Sequence, residues 1–278
     1  MIRNVLSIAG SDPSGGAGIQ ADLKTFAARG TYGMAALTAL TAQNTQGVSG
    51  VHLAPPSFVA DQIAAVFADI RVDAVKIGMI ASAEIAQAVA EALVPHRGLP
   101  IVLDPVMMAK GGHPLLPADA VESLRMHLLP LATHLTPNLP EAAALLDCAE
   151  ARDIEEMTDQ AEALHAAHGA AALVKGGHLD GVESTDILAT ADGIQGFTAP
   201  RSATKNTHGT GCTLSSALAA ELAKGHSTEQ AVAEAKAYVA AAIASADRLS
   251  VGHGHGPTHH FQALWSPALT GPNSADKE

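Results

Sequence analysis

The stretch Val5-Leu6-Ser7-Ile8-Ala9-Gly10-Ser11-Asp12-Pro13 decides how the rest of this chain is read. A short, mostly apolar run stops at Gly-Ser-Asp-Pro, as a buried strand does when it meets a turn. A helical stretch, Ile19 to Ala28, follows and is ended by Gly30. The alternation then repeats. Apolar runs at Met34 to Leu40, Ala74 to Ile80, Pro100 to Leu103, His134 to Thr136 and Ala171 to Lys175 read as strands. Pro56 to Ile70, Ala83 to Leu93, Ala118 to Leu129, Glu141 to Leu146 and Ile154 to His168 read as helices between them. Asp186 to Thr190 and Gly196 to Ala199 read as an antiparallel pair joined around Asp192-Gly193. Cys212 to Ala223 and Thr228 to Arg248 close the chain as two helices. Strands alternating with helices predict an α/β fold of three layers: a mostly parallel central sheet with helices on both faces.

Bulk properties narrow the class. A chain of 278 residues with 47% hydrophobic and 3% aromatic residues packs its core with alanine and aliphatics. The formal net charge of −12 repels phosphate backbones and argues against nucleic acid as a partner. Cys148 and Cys212 lie far apart and form neither a disulfide framework nor a zinc pattern, which points to a reducing cytoplasm. The apolar run at the N-terminus is too short for a signal-peptide core. The stretch from Ala240 to Ala246 is too short for a membrane span. We expect one domain over 1–265 and a flexible tail over 266–278.

In open α/β sheets, ligands bind beyond the carboxyl ends of the strands. The residues expected there are Gly10-Ser11-Asp12, Gln43-Asn44, Gly78-Met79, Asp104-Pro105-Val106, Asn138 and Lys175-Gly176-Gly177, a polar and glycine-rich set. The segment Gly10 to Gly16 has the spacing of a phosphate-binding P-loop but lacks its lysine. Gly16-Ala17-Gly18-Ile19-Gln20-Ala21 mimics a dinucleotide fingerprint, yet Ala35 to Gln46 hold no acidic residue for a ribose. Both readings fail.

Asn206-Thr207-His208-Gly209-Thr210-Gly211-Cys212-Thr213 is more informative, because a strong helix follows it. Its glycines let backbone amides converge, and the helix dipole adds positive potential, as an anion hole requires. Cys212 stands in the first turn, where a thiol pKa is expected to fall, so it could take a proton from an attacking hydroxyl. Close packing of small residues would give the same sequence. Asn138 and Glu141 read either as groups facing a nucleotide and Mg²⁺ or, on local evidence better, as a helix cap. Lys175 could neutralise phosphate or be an exposed lysine, and Asp104 could end a strand or serve a metal.

As an ordered set, several segments closely resemble the hydroxymethylpyrimidine/phosphomethylpyrimidine kinases of thiamine biosynthesis, in the ribokinase-like superfamily. They are Ala9 to Asp22, Thr41-Ala42-Gln43-Asn44-Thr45, Lys76-Ile77-Gly78-Met79, Leu103-Asp104-Pro105-Val106-Met107, Thr136-Pro137-Asn138-Leu139-Pro140-Glu141, Val174-Lys175-Gly176-Gly177-His178 and Asn206 to Cys212. The resemblance implies a ribokinase-like fold and two successive ATP-dependent phosphorylations of 4-amino-5-hydroxymethyl-2-methylpyrimidine. It places Gly10, Asp22, Gln43, Met79 and Val106 in the pyrimidine pocket. Asn138, Lys175 and Lys236 fall on the nucleotide side, with Asp104 and Glu141 toward Mg²⁺. Gly209, Gly211, Lys175 and Cys212 fall at the reacting phosphoryl group, Cys212 as the base. It also implies a homodimer. The rivals are a pyridoxal kinase, a non-catalytic pyrimidine sensor, and a cysteine hydrolase whose base would be His208.

Overall fold

The computed structural model describes residues 1–108 and 118–265, and the expected tail lies outside them. The elements, in order, are β1 (Asn4–Ser11), α1 (Gly18–Ala28), β2 (Tyr32–Asn44), β3 (Gly47–Leu53), α2 (Pro56–Asp69), β4 (Ala74–Ile77) and α3 (Ala83–Leu93). Then come β5 (Ile101–Leu103), α4 (Ala118–Ser123), β6 (His134–Leu135), α5 (Leu139–Leu146), α6 (Ile154–His168), β7 (Ala171–Lys175), β8 (Glu183–Thr190), β9 (Gly193–Pro200), α7 (Thr210–Ala223) and α8 (Thr228–Ala244). Among the described residues the strands form one nine-stranded sheet in the order β3-β2-β1-β4-β5-β6-β7-β8-β9. From β2 to β7 every pairing is parallel, whereas β3, β8 and β9 join antiparallel.

Three local expectations are corrected. β2 runs on to Asn44 and turns back as β3, a strand the sequence hides because its residues are mostly exposed. β4 stops at Ile77 rather than Ile80, and the chain soon turns through Ala81 at φ 70°. The helix expected from Ala118 loosens into a wider π-type turn at Leu124–Leu128.

The short parallel strands are buried on both sides, so their residues alternate between two cores. Leu6, Ile8, Val75, Ile77, Ile101, Leu103 and Val174 face a large apolar cluster shared with α2, α3, α5 and α6. Val5, Ala74, Val102 and Leu173 face a second cluster with α1, α7 and α8. One step further along that second face stand Ser7, Lys76, Asp104 and Lys175, in phase with those four residues. The sheet therefore carries polar side chains beneath the start of α7. Among the described residues, no helix is long and apolar enough to cross a membrane.

Candidate active site

The chain leaves β1 for β2 on one side and later returns to β4 on the other, so the strand order reverses between β1 and β4. A crevice opens at such a switch point. Gly10 stands one residue before the end of β1 there, and a Cβ on it would come 2.9 Å from Cε of Met79, so the two expected pocket residues touch. Beyond Gly10 the Asp12 carboxylate organises the turn. It accepts from the Ser14 amide at 2.9 Å, the Ser14 hydroxyl at 2.7 Å and the Ala17 amide at 2.8 Å. His208 Nε2 lies 2.7 Å from Oδ2, the oxygen that also accepts from Ala17. Burial alone would raise the Asp12 carboxyl, but these contacts outweigh it and hold it below its ordinary range.

The helix start that brings α7 in is built on glycine. Gly209 has φ 77°, and a Cβ there would lie 1.8 Å from the Gly16 carbonyl oxygen, so only glycine lets the two loops meet. A Cβ on Gly211 would lie 3.3 Å from Lys175 Nζ, which puts an ammonium beside the first turn of α7. Amides at a helix N-terminus next to a lysine form a site for an anion.

Behind this turn runs a chain of buried charges. Lys76, fully enclosed, donates to both oxygens of Asp22 at 2.9 Å. Ser7 and Ser216 also donate to Asp22, at 2.6 and 2.7 Å. Lys175 donates to Asp104 at 3.0 Å and stands 3.9 Å from Glu141. Asp104 further accepts from Ser215 at 3.2 Å and Thr136 at 3.3 Å. Lys236 donates to Asp186 at 2.8 Å, and Asp186 accepts from the Gly176 amide at 3.1 Å.

The electrostatics follow from burial. Desolvation opposes the charge on Lys76, yet Asp22 and then the Cys212 and Asp104 side chains outweigh it and keep the ammonium charged. Desolvation likewise opposes Lys175, and Asp104 and Glu141 outweigh it. Asp104, pulled upward by burial, is returned below its ordinary range by Lys175 and Lys76. Burial pushes Glu141 up to about 7, with Asp104 adding to the rise and Lys175 opposing it. Cys212 corrects an expectation: desolvation pushes its thiol up to about 11, and Lys76 only partly offsets that. Its half-buried position costs the thiolate more than the helix start returns.

The structure thus gathers Asn138, Glu141, Asp104, Lys175 and Gly211 at one end of the crevice, and Gly10, Met79 and Gln43 at the other. Asn138 and Glu141 form a reciprocal helix cap, with Asn138 Oδ1 accepting from the Glu141 amide at 2.9 Å and Glu141 accepting from the Asn138 amide at 2.8 Å. Val106 leaves β5 half-buried, its amide bonded back to the Asp104 carbonyl. Asp22 is not a pocket wall, because its oxygens are taken by Lys76, Ser7 and Ser216. It positions Lys76 instead. Asp104, expected on the metal side, is engaged instead by Lys175, Thr136 and Ser215. Lys236 reaches the site through Asp186. Sequence reasoning gave no role to Lys76 or Asp12. A lysine inside a four-residue apolar strand was the available signal.

One further expectation is settled here. His208 turns to Asp12, which removes the base that a cysteine hydrolase would need. The glycine-rich segment after Val251 is tied to both loops. The His255 amide donates to the Thr45 carbonyl at 2.9 Å, and the His208 amide donates to the Gly256 carbonyl at 3.0 Å.

The donor set near Glu141 fits Mg²⁺ in one manner only. The described residues contain no group of three metal-binding side chains. Carboxylate oxygen is nonetheless the ligand Mg²⁺ takes, with water and nucleotide phosphates completing its shell.

Solved structures place this architecture in a class. Bacillus subtilis pyridoxal kinase, in an ADP complex, superimposes with a TM-score of 0.86 at 36% identity, covering 95% of this chain and 100% of that one. Phosphomethylpyrimidine kinase from Clostridium difficile superimposes with a TM-score of 0.77 at 44% identity, covering 87% and 99%. The fold is therefore that of the ribokinase-like vitamin kinases. Within it, the chain belongs to the phosphomethylpyrimidine kinase family, whose profile matches residues 12–259. It is 57% identical to the hydroxymethylpyrimidine/phosphomethylpyrimidine kinase of Salmonella typhimurium over 94% of this chain and 98% of that protein.

Proposed function

We infer that this chain is a hydroxymethylpyrimidine/phosphomethylpyrimidine kinase of thiamine biosynthesis. It transfers a phosphoryl group from ATP to the hydroxymethyl arm of the aminopyrimidine, and then a second to the monophosphate. The observation that carries this reading is Lys175 beside Gly211 at the first turn of α7. A phosphoryl group in flight spreads charge over its oxygens, and catalysis consists mostly of holding that charge in place. The amides at Gly209 to Cys212 and the Lys175 ammonium meet it from two sides.

In this reading Gln43 meets the pyrimidine edge, and Gly10, Met79 and Val106 line the ring. Asn138 and Lys236 shape the nucleotide side. Glu141 is the residue that would hold Mg²⁺, and the metal would neutralise phosphate charge. Asp104 acts by aiming Lys175, and Asp22 by aiming Lys76. Cys212 stands where a base would, but it can take the hydroxyl proton only as the thiolate. Burial pushes its thiol up to about 11, so at neutral pH catalysis rests mainly on the charge stabilisation that the amides and Lys175 supply. Residues 1–265 act as one domain. Leu40, Val51 and Leu53, left exposed on β2 and β3, support a homodimer, which sedimentation would test.

The decisive assay offers purified protein ATP, Mg²⁺ and either hydroxymethylpyrimidine or pyridoxal, and reads products by mass. Mono- and diphosphorylated pyrimidine are expected. The likeness to pyridoxal kinases supports a weaker activity on pyridoxal. Phosphate found on neither alcohol would overturn the kinase reading and favour a sensor.

A further inference from the structure

We infer that Arg201 is a positioning residue for phosphoryl transfer: it clamps the turn Gly176–His178 and so sets where Lys175 leaves the sheet. The inference rests on the reading that Lys175 meets the phosphoryl group.

Lys175 is the last residue of β7, and the turn that follows it begins with two glycines. Neither glycine has a side chain that could pack, and glycine has the most backbone freedom to lose. A Cβ on Gly176 would lie 2.0 Å from the Thr185 carbonyl oxygen, so a larger residue cannot stiffen the position. The shape of this turn is therefore set by hydrogen bonds from outside it.

Those bonds come from two sides. The Gly176 amide donates to Asp186 Oδ1 at 3.1 Å, and Asp186 stands directly across from Lys175 on β8. Lys236 steadies Asp186 in turn. Arg201 supplies the opposite side. It directly follows β9, and its amide donates to the Val182 carbonyl at 3.0 Å, which fixes the root of the side chain. Its guanidinium donates to the carbonyls of Gly177 at 2.9 Å and Gly176 at 3.3 Å, and also to that of Leu179. Its Nε donates to the Glu183 carbonyl at 3.0 Å. A planar fork of donors can hold several carbonyls at once, whereas an ammonium is a single point on a flexible stem. Gly176 is thus gripped by its N–H on one side and its C=O on the other.

This clamp matters because of what hangs from it. Asp104 fixes the far end of the Lys175 side chain at 3.0 Å, and the turn fixes where that side chain starts. A flexible four-carbon stem magnifies any tilt of its root at the ammonium. With the clamp in place, Lys175 Nζ stands beside Gly211 at the first turn of α7. A freed turn lets the ammonium drift from that point while the sheet and its cores stay intact.

The test is a double-variant cycle in kcat, with KM for the pyrimidine and thermal unfolding read alongside. Arg201→Met, which removes every donor, should lower kcat roughly 10- to 100-fold, the scale of misplacing a reacting group by about 1 Å. KM for the pyrimidine should hold near the parent value. In a Lys175→Met background the same change should leave kcat almost unmoved, because Arg201 then has no ammonium to aim. Arg201→Lys, which keeps the charge without the fork, should fall between parent and Arg201→Met, and it carries the cycle if Arg201→Met fails to fold. Equal losses of kcat in both backgrounds would overturn the inference and mark the arginine as a brace of the fold. Parental kcat in Arg201→Met would overturn it as well. Parental turnover in Lys175→Met alone would remove the Lys175 reading, and this inference with it.

Discussion

The two faces of the central sheet solve different problems with the same strands. On one, Leu6, Ile8, Val75, Ile77, Ile101 and Leu103 meet the helices α2 to α6 in a continuous apolar core. On the other, an apolar row of Val5, Ala74, Val102 and Leu173 gives way, one step on, to Ser7, Lys76, Asp104 and Lys175 under α7. The first face holds the fold together without regard to chemistry. The second uses part of its core to hold charges that water would otherwise scatter. Buried ion pairs contribute little net stability but are costly to break. This asymmetry is what the following experiments would break or sharpen.

The largest effect is expected at Lys76→Met, which strands the Asp22 carboxylate in the interior. Urea unfolding should show a loss of roughly 3–5 kcal/mol, the cost of an unpaired buried charge. Pairing it with Asp22→Leu should recover most of that loss. A double variant no more stable than the single one would show that the pair is not the unit we describe.

Next comes Lys175→Met, which should lower kcat by roughly 10²–10³, the scale of removing one preorganised charge donor. ATP turnover at saturating substrate measures it. A variant with parental turnover would separate Lys175 from the reacting phosphate.

A pH effect of intermediate size marks the polar face. Burial depresses His134 to about 4 and His260 to about 3, below the ordinary 6.5. The unfolded chain therefore binds protons first as pH falls. Stability present above about 6.5 should be lost progressively toward 4, on the order of 1–3 kcal/mol for His134. His134→Gln should make this slope shallower while His260 keeps part of it. An unaltered slope would exclude His134 as a source.

The smallest change belongs to the apolar face. Ile77→Val should cost roughly 0.5–1.5 kcal/mol in unfolding and leave kcat/KM near the parent value. A kinetic defect there would mean that the two faces are coupled.

Much of this was legible in sequence. The strand–helix alternation gave the sheet because buried parallel strands leave apolar runs between turn residues. The polar strand ends located the crevice because the fold puts every parallel strand's carboxyl end on one side. β3 was hidden, since an exposed edge strand of Gly, Ser and His leaves no apolar run. Lys76 was hidden because its partner Asp22 is 54 residues away in sequence and meets it only through the packing of α1 and α7 on the sheet. The direction of the Cys212 shift was misread because helix position shows in sequence, while desolvation depends on what packs over the turn.

The glycine contact between residues 16 and 209 has a consequence for how the protein is made. Both sides of the crevice are closed by chain that is synthesised long after β1: His208 bridges to Pro257, and the Thr45 turn waits for His255. The contacts to the Thr45 turn, 209 residues apart for Gly254, are among the last a growing polypeptide can form. A ribosome halfway through this message displays finished strands around an unfinished mouth. The nascent chain therefore holds nothing that can consume ATP until the segment around Pro257 has emerged.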